Sequence, residues 1–378
     1  MFFRKQSTIR EDLHAHPEIG YELPRTISIV EEYLKKFGIN VRTGIGQSGI
    51  VGDIFIGENF KTIALRADMD GLEIEELGTS CYKSQYIGKA HLCGHVAMLL
   101  GAAKVINRLK NLLKVNVRFI FQPSEERHPS GAKAMIKDGV LEQVDQLYAI
   151  HVDPEHNEGC ISITKEIASS NTDFFSIKIK GKGAHASSPH LSSDPIVLAA
   201  KIILDSQCLI SRNIDPFETA VLSFTQIKGG TNNNSIPETV EITGTVRTFS
   251  AAVRGFIIER LEKIIKSVCA QEDAEYNFDY IEYCPSVYNH PETSDHAIKV
   301  AKALLGHNNV KVLMKPSMGG EDFAYFSEKI PSCIVGLGIR NEKKGIIFDC
   351  HSPYFDLHSP SMLHGIMYHA GLVFFQEI

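Results

Sequence analysis

The chain has 378 residues, of which 43% are hydrophobic and 22% charged, with a net charge of −6. That length exceeds what one hydrophobic core usually spans, so two domains are expected; no apolar window is long enough for a membrane helix. An acidic balance without basic runs or basic–aromatic interleaving excludes nucleic acid and anionic membrane surfaces as partners and leaves a small-molecule substrate.

Helical spacing of Ile9 and Leu13, then of Ile27, Val30, Tyr33, Leu34 and Phe37, predicts two N-terminal helices, with His14, His16 and Pro17 in the break between them and Gly38 closing the second. The start, Met-Phe-Phe-Arg-Lys-Gln-Ser, lacks the apolar core of a signal peptide. Eight scattered cysteines then predict reduced thiols in a cytoplasmic setting rather than a disulfide framework. Strands are expected at Gly49–Ile56 and Lys61–Ala67, the second running out at Asp68-Met69-Asp70-Gly71. Acidic residues just past a strand's carboxyl end lie where open α/β sheets place their sites, although an Asp-Gly turn in solvent is an equal reading.

From Gly88 to Lys104, His91, Cys93 and His95 alternate around Gly94 and lead into a small-residue apolar helix. Thiolate and imidazole are the N and S donors that a zinc-like or manganese-like ion takes, while packed loop residues are the plainer alternative. Lys114–Phe121 reads as a central strand that breaks at Gln122-Pro-Ser-Glu125-Glu126. Adjacent carboxylates can divide labour, one ligating a metal and the other serving as general base, but a helix N-terminus would welcome two acids as well. A further short strand, Leu147–Val152, ends on His151.

Strict alternation from Phe174 to Lys180 marks a strand with one face in water and the start of a second, antiparallel domain. It continues through a helix from Pro195 to Leu209, strands at Ala220–Ile227 and Val240–Phe249, a helix from Val253 to Ala270 and a strand to Ile281. This order is a split βαβ arrangement of the ferredoxin-like kind. The chain then returns to the first domain with a helix at Asp295–Leu304 and a strand at Cys333–Gly338. The expected fold is therefore α/β with an inserted ferredoxin-like α+β domain: residues 1–171 and 285–378 form one domain and 172–284 the insertion.

Asp12–Glu18, Leu65–Gly71, His91–His95, Phe121–Glu126, Gly181–His190, Gly229–Pro237, Gly319–Phe323 and His351–Asp356, in this order, resemble the metal-dependent aminoacylase and amidohydrolase family of hippurate hydrolases, indoleacetyl-amino acid hydrolases and N-acetyldiaminopimelate deacetylases. The resemblance is collinear from Leu13 to Gly365. It implies a two-metal α/β catalytic domain interrupted by a lid domain that forms a homodimer, and hydrolysis of N-acyl amino acids such as acetyl or benzoyl derivatives. It also implies two divalent ions, manganese or zinc, on Cys93, His95, Glu126, His151 and His351, with Glu125 as general base. Asp68 and Asp70 take orienting positions, His185 the oxyanion-stabilising one, and Asn234 and Arg247 those that hold the substrate carboxylate, a role suited to a guanidinium fork. His358, in an echo of the His351 motif, is the weaker match of the two, and no G-x-S-x-G serine elbow stands out.

The family pattern after Cys-Gly-His continues with Asp, a small residue, a second His and Thr, whereas here Val96 follows His95 directly. About three residues are missing, a turn of roughly 300° and a rise of about 4.5 Å on a helix, so either the loop before Cys93 pulls in or the helix starts later. Loss of such supporting groups typically weakens metal binding or activity about 10- to 100-fold. Two other readings follow: an impaired family member that binds or serves structurally, and a dipeptidase or carboxypeptidase.

Overall fold

A computed structural model describes the backbone of residues 2–376 and the side chains from Ser7 onward. In chain order, α1 (Phe2–Ala15) and α2 (Pro24–Lys36) precede β1 (Asn40–Ile45), β2 (Gly49–Ile54) and β3 (Thr62–Asp68). After a long loop come α3 (His95–Arg108), β4 (Asn116–Gln122), α4 (Gly131–Lys137), β5 (Gln146–Asn157) and β6 (Ile161–Thr164). The next elements are β7 (Asn171–Lys180), α5 (Pro195–Cys208), β8 (Ala220–Gly229), β9 (Thr239–Thr248), α6 (Ala251–Cys269) and β10 (Glu275–Cys284). The chain finishes with α7 (Pro291–Leu305), β11 (Val310–Leu313), β12 (Ser332–Arg340) and α8 (Ser361–Phe374).

Two compact units result: one holds the residues up to Ala168, Val287–Pro316 and those from Asp322 on; the other holds Ser169–Ser286 and Ser317–Glu321. The first is built on an eight-stranded mixed sheet, β1-β2-β4-β3-β5-β12-β6-β11. Its centre is parallel, β3 pairing with β4 and β5, and β5 with β12. These strands are buried on both faces, which is why Ile63–Leu65 and Phe119–Phe121 are apolar without alternation. The second unit is a four-stranded antiparallel sheet, β8-β9-β7-β10. With α5 and α6 between its strands it has the ferredoxin-like connection, its core made by Ile177, Ile179, Val240 and Ile242 against Leu198, Ile202, Leu261 and Ile265. Asp194 and Ser250 cap α5 and α6 by accepting from Ile196 N and Val253 N. Among the described residues no helix is long and apolar enough to cross a membrane.

Two expectations are corrected. His14 lies in the last turn of α1, where its Nε2 meets Glu76 Oε1 at 2.9 Å, instead of in the break. The strand carrying His151 does not end there: β5 runs on to Asn157 because its ladder with β12 continues, His151 opposite Gly336 and Asp153 opposite Gly338. α8 is a further element, apolar on almost every side and packed so closely on α3 that a Cβ on Gly365 would stand 2.4 Å from Met98 Sδ.

His369 on α8 is 2% exposed with Nδ1 unpartnered; burial, and secondarily the nearby His95, pushes its pKa down to about 3. An unfolded histidine titrates near about 6.5, so below that pH the unfolded chain binds a proton that the native chain refuses, down to about 3. Stability from the neutral His369 is thus complete above pH about 6.5 and declines as the pH falls, by at most about 1.4 kcal/mol per pH unit. His369→Leu is expected to flatten the fall of the urea midpoint between pH 7 and 5; an unaltered pH slope would contradict the assignment.

Candidate metal centre

The site grows from the carboxyl ends of β4 and β3 and from the middle of β5. β3 ends on Asp68, in register with Gln122, and Met69 N extends the ladder by donating to Gln122 O at 2.7 Å. Beyond β4 the chain turns at Ser124, whose φ is +48°, so that two successive amides face Asp70. Glu125 N donates to Asp70 Oδ1 at 2.9 Å and Glu126 N to Oδ2 at 3.2 Å. One buried carboxylate therefore fixes the backbone of both glutamates. Burial pushes the Asp70 carboxyl well above the usual carboxylate range, with Glu126 and Asp68 adding to the rise and the two amides opposing it.

Gly94, at φ +73°, forms the left-handed turn from which α3 begins at once on His95; the later helix start weighed from the sequence does not occur. A Cβ there would come within 3.2 Å of Leu357 Cδ2 and 3.3 Å of Arg10 Cγ, so the position needs glycine for both conformation and space. Through this turn Cys93 and His95 meet His151, with ligand atoms of all three within 4.8 Å of one another. The rings of His95 and His151 stand edge to face, centroids 4.8 Å apart. His95 Nδ1 bonds Asp68 Oδ1 at 2.8 Å while Nε2 accepts from Val152 N at 3.2 Å, which fixes the proton on Nδ1; a cation taking the Nε2 lone pair would displace the Val152 amide from it. A carboxylate behind an imidazole is the usual support of a metal-ligating histidine. Burial drives the Asp68 carboxyl up, but His95, Arg66 and His151 together hold it well below the ordinary carboxylate range. The Cys93 thiol is raised well above its normal value by burial and by the neighbouring Cys350, Asp68, Glu126 and Glu125. Two imidazoles and a thiol with acidic groups around them make a donor set suited to a divalent cation.

His351 sits at the tip of a loop, at φ +67°, with Nε2 3.5 Å from Glu126 Oε2. The rings of Phe348 and Tyr354, centroids 5.4 Å apart, close that loop on either side of it. The hydrogen bond to Glu126 raises the His351 pKa against the opposing effect of burial. His358, by contrast, is engaged elsewhere, its Nδ1 3.1 Å from Glu158. His91 is buried outside the Cys93–His95–His151 group, and burial lowers its pKa to about 4.

Under the site lies a network that the sequence did not single out. Asp322, fully buried, accepts from Arg66 Nη2 at 3.3 Å, Gln122 Nε2 at 2.7 Å, Ser130 Oγ at 2.6 Å and Ala132 N at 3.2 Å. Arg66 continues it to Asp68 Oδ1 at 3.4 Å, and Asp322 N donates to Glu125 Oε1 at 3.4 Å. An arginine in the apolar run Ile63–Ala67 was the available signal, because a buried guanidinium demands partners.

Asn234, His185 and Arg247 belong to the second unit. His185 and Asn234 are neighbours there: Ser235 pairs with His185, and Ala186 N donates to Asn234 O at 2.9 Å. Both are exposed, and His185 Nδ1 is 2.7 Å from Ser187 Oγ. Arg247 on β9 is half-buried, bonded to Thr245 Oγ1 and Val246 O, with its guanidinium 5.8 Å from the Phe174 ring centre.

The sequence pattern described as peptidase family M20/M25/M40 matches residues 64–374. Thermostable carboxypeptidase 2 of Saccharolobus solfataricus is 37% identical over 370 residues, covering 96% of this chain and 93% of the relative. N-acetylcysteine deacetylase of Bacillus subtilis is 35% identical over 376 residues, covering 98% and 96%. The crystal structure of the Bacillus subtilis YXEP protein, described as a dinuclear metal binding peptidase of the M20 family, superposes with a TM-score of 0.83 at 31% identity over 99% of this chain and 98% of that one.

Proposed function

Because this chain belongs to peptidase family M20/M25/M40, and is thereby a metal-dependent hydrolase of amides, we propose that it cleaves the amide bond of N-acyl amino acids. The observation that carries the reading is the convergence of Cys93, His95 and His151 within 4.8 Å of one another beside the Asp70-anchored Glu125–Glu126 pair. Cys93, His95, Glu126, His151 and His351 would hold two divalent ions, manganese or zinc. Bound there, the ions supply polarisation of the scissile carbonyl and acidification of water.

The chain's own residues do the rest. Glu125, whose Oε1 is oriented by Asp322 N, takes the proton from the attacking water and passes it to the departing amine nitrogen. Asp68 keeps the His95 proton on Nδ1, and Asp70 holds the two glutamates in place. In the second unit His185 serves the developing oxyanion, while Asn234 and Arg247 hold the substrate carboxylate. That unit is proposed as the lid through which two copies form a homodimer.

A carboxypeptidase or dipeptidase is the second reading, favoured by the name of the relative that is 37% identical. Turnover of acetyl and benzoyl amino acids measured beside dipeptides, with manganese or zinc supplied, decides between them. Faster hydrolysis of the N-acyl amino acids is the expected result, and dipeptides outpacing all of them would overturn it.

A further inference from the structure

Arg10 has no part in the reading above, yet within the first unit it touches both the turn that carries Cys93 and His95 and the loop that carries His351. It lies in α1 and is only 1% exposed. Its stem packs on the Gly94 turn, where a Cβ would stand 3.3 Å from Arg10 Cγ. Its head crosses to the other segment: Nη2 donates to Asp356 Oδ1 at 2.9 Å, between residues 346 apart in the chain. Tyr82 completes the clamp, its hydroxyl 3.1 Å from Asp356 Oδ1 and 3.0 Å from Oδ2 and its ring centre 4.7 Å from the guanidinium carbon. Tyr82 is held in turn by the ring of His14, edge to face at 5.2 Å, and His14 by Glu76.

The His351 loop is short and tied at its end. Ser352 N donates to Asp349 O and Phe355 N to Ser352 O, so two successive turns lead from His351 to Phe355 and Leu357, each 1% exposed and part of the core of the first unit. Asp356 stands between those two anchors, and Leu77 N holds Pro353 O at 2.7 Å. A buried guanidinium costs desolvation that an apolar side chain of similar volume would avoid, so stability alone does not account for an arginine here. Holding a carboxylate on a distant loop is what the apolar side chain could not do. We propose that Arg10 is a positioning residue of the metal centre: through Asp356 it fixes the loop that presents His351 against the turn that presents Cys93 and His95. The proposal rests on the metal-dependent reading given above, with His351 as a ligand.

The test titrates the metal-free full-length chain with manganese(II) and, separately, with zinc, resolving the equivalents bound. His351→Ala identifies the equivalent that depends on His351. Arg10→Met, which keeps the stem and removes the ion pair, and Asp356→Asn are each expected to weaken that equivalent at least about tenfold. In the His351→Ala background neither change should weaken metal binding further, because the effect passes through that imidazole. Asp356→Asn carries the same comparison if Arg10→Met does not fold. Undiminished affinity in the folded single variants overturns the proposal, and so does a loss that adds in full to that of His351→Ala, the mark of a merely structural role; both leave the metal-dependent reading in place. Metal binding by the unmodified chain that His351→Ala does not alter removes His351 as a ligand and overturns the proposal with it.

Discussion

Glu125→Gln is expected to lower turnover about a hundred- to ten-thousand-fold, the usual contribution of a positioned general base. The change is nearly isosteric, and the amide oxygen still accepts the hydrogen bond that Glu125 Oε1 receives from Asp322 N. The Glu125 amide and its bond to Asp70 are untouched. The loss should therefore appear in kcat with little change in KM, metal content or thermal midpoint, the pattern of an interaction made only in the transition state. Glu126→Gln should behave differently and lower metal content, because that carboxylate faces His351 at 3.5 Å. Equal activity of Glu125→Gln and the unmodified chain, measured with saturating metal, would remove Glu125 from the reaction.

Asp322→Ala is expected to destabilise the first unit by about 3–5 kcal/mol, read as a fall in the urea midpoint at neutral pH. Its carboxylate is 0% exposed and gathers donors from β3, β4 and the start of α4. Removing it takes a carboxylate partner from Arg66, 1% exposed, and breaking a buried pair from one side costs far more than the pair itself contributes. Ser130, the cap of α4, loses its acceptor in the same step. A midpoint within the scatter of surface substitutions would show that the network is dispensable.

These two residues mark how far the sequence could be read. β3 and β4 were legible to within two residues because buried parallel strands carry uninterrupted β-branched and aromatic runs. The alternation from Phe174 and the order of strands and helices sufficed for a ferredoxin-like unit, with no knowledge of which strands pair. Asp68 and Asp70 were visible as a pair of acids at a strand end, but their division of labour was not: one supports His95 and the other anchors two amides, and those partners are 27 and 55 residues distant. Asp322 meets Gln122 200 residues away in the chain, and no local pattern encodes such a contact. The shortening after His95 left two alternatives, a loop before Cys93 that pulls in or a later helix start. α3 nevertheless starts on His95, directly after Gly94 at positive φ.

The claim of metal-dependent amide hydrolysis is tested most directly by stripping the purified chain with a chelator and restoring manganese or zinc while following release of the free amino acid from an N-acyl amino acid. Turnover is expected to disappear with the metal and to return as two equivalents per chain are restored. Full turnover by the metal-free chain would contradict it.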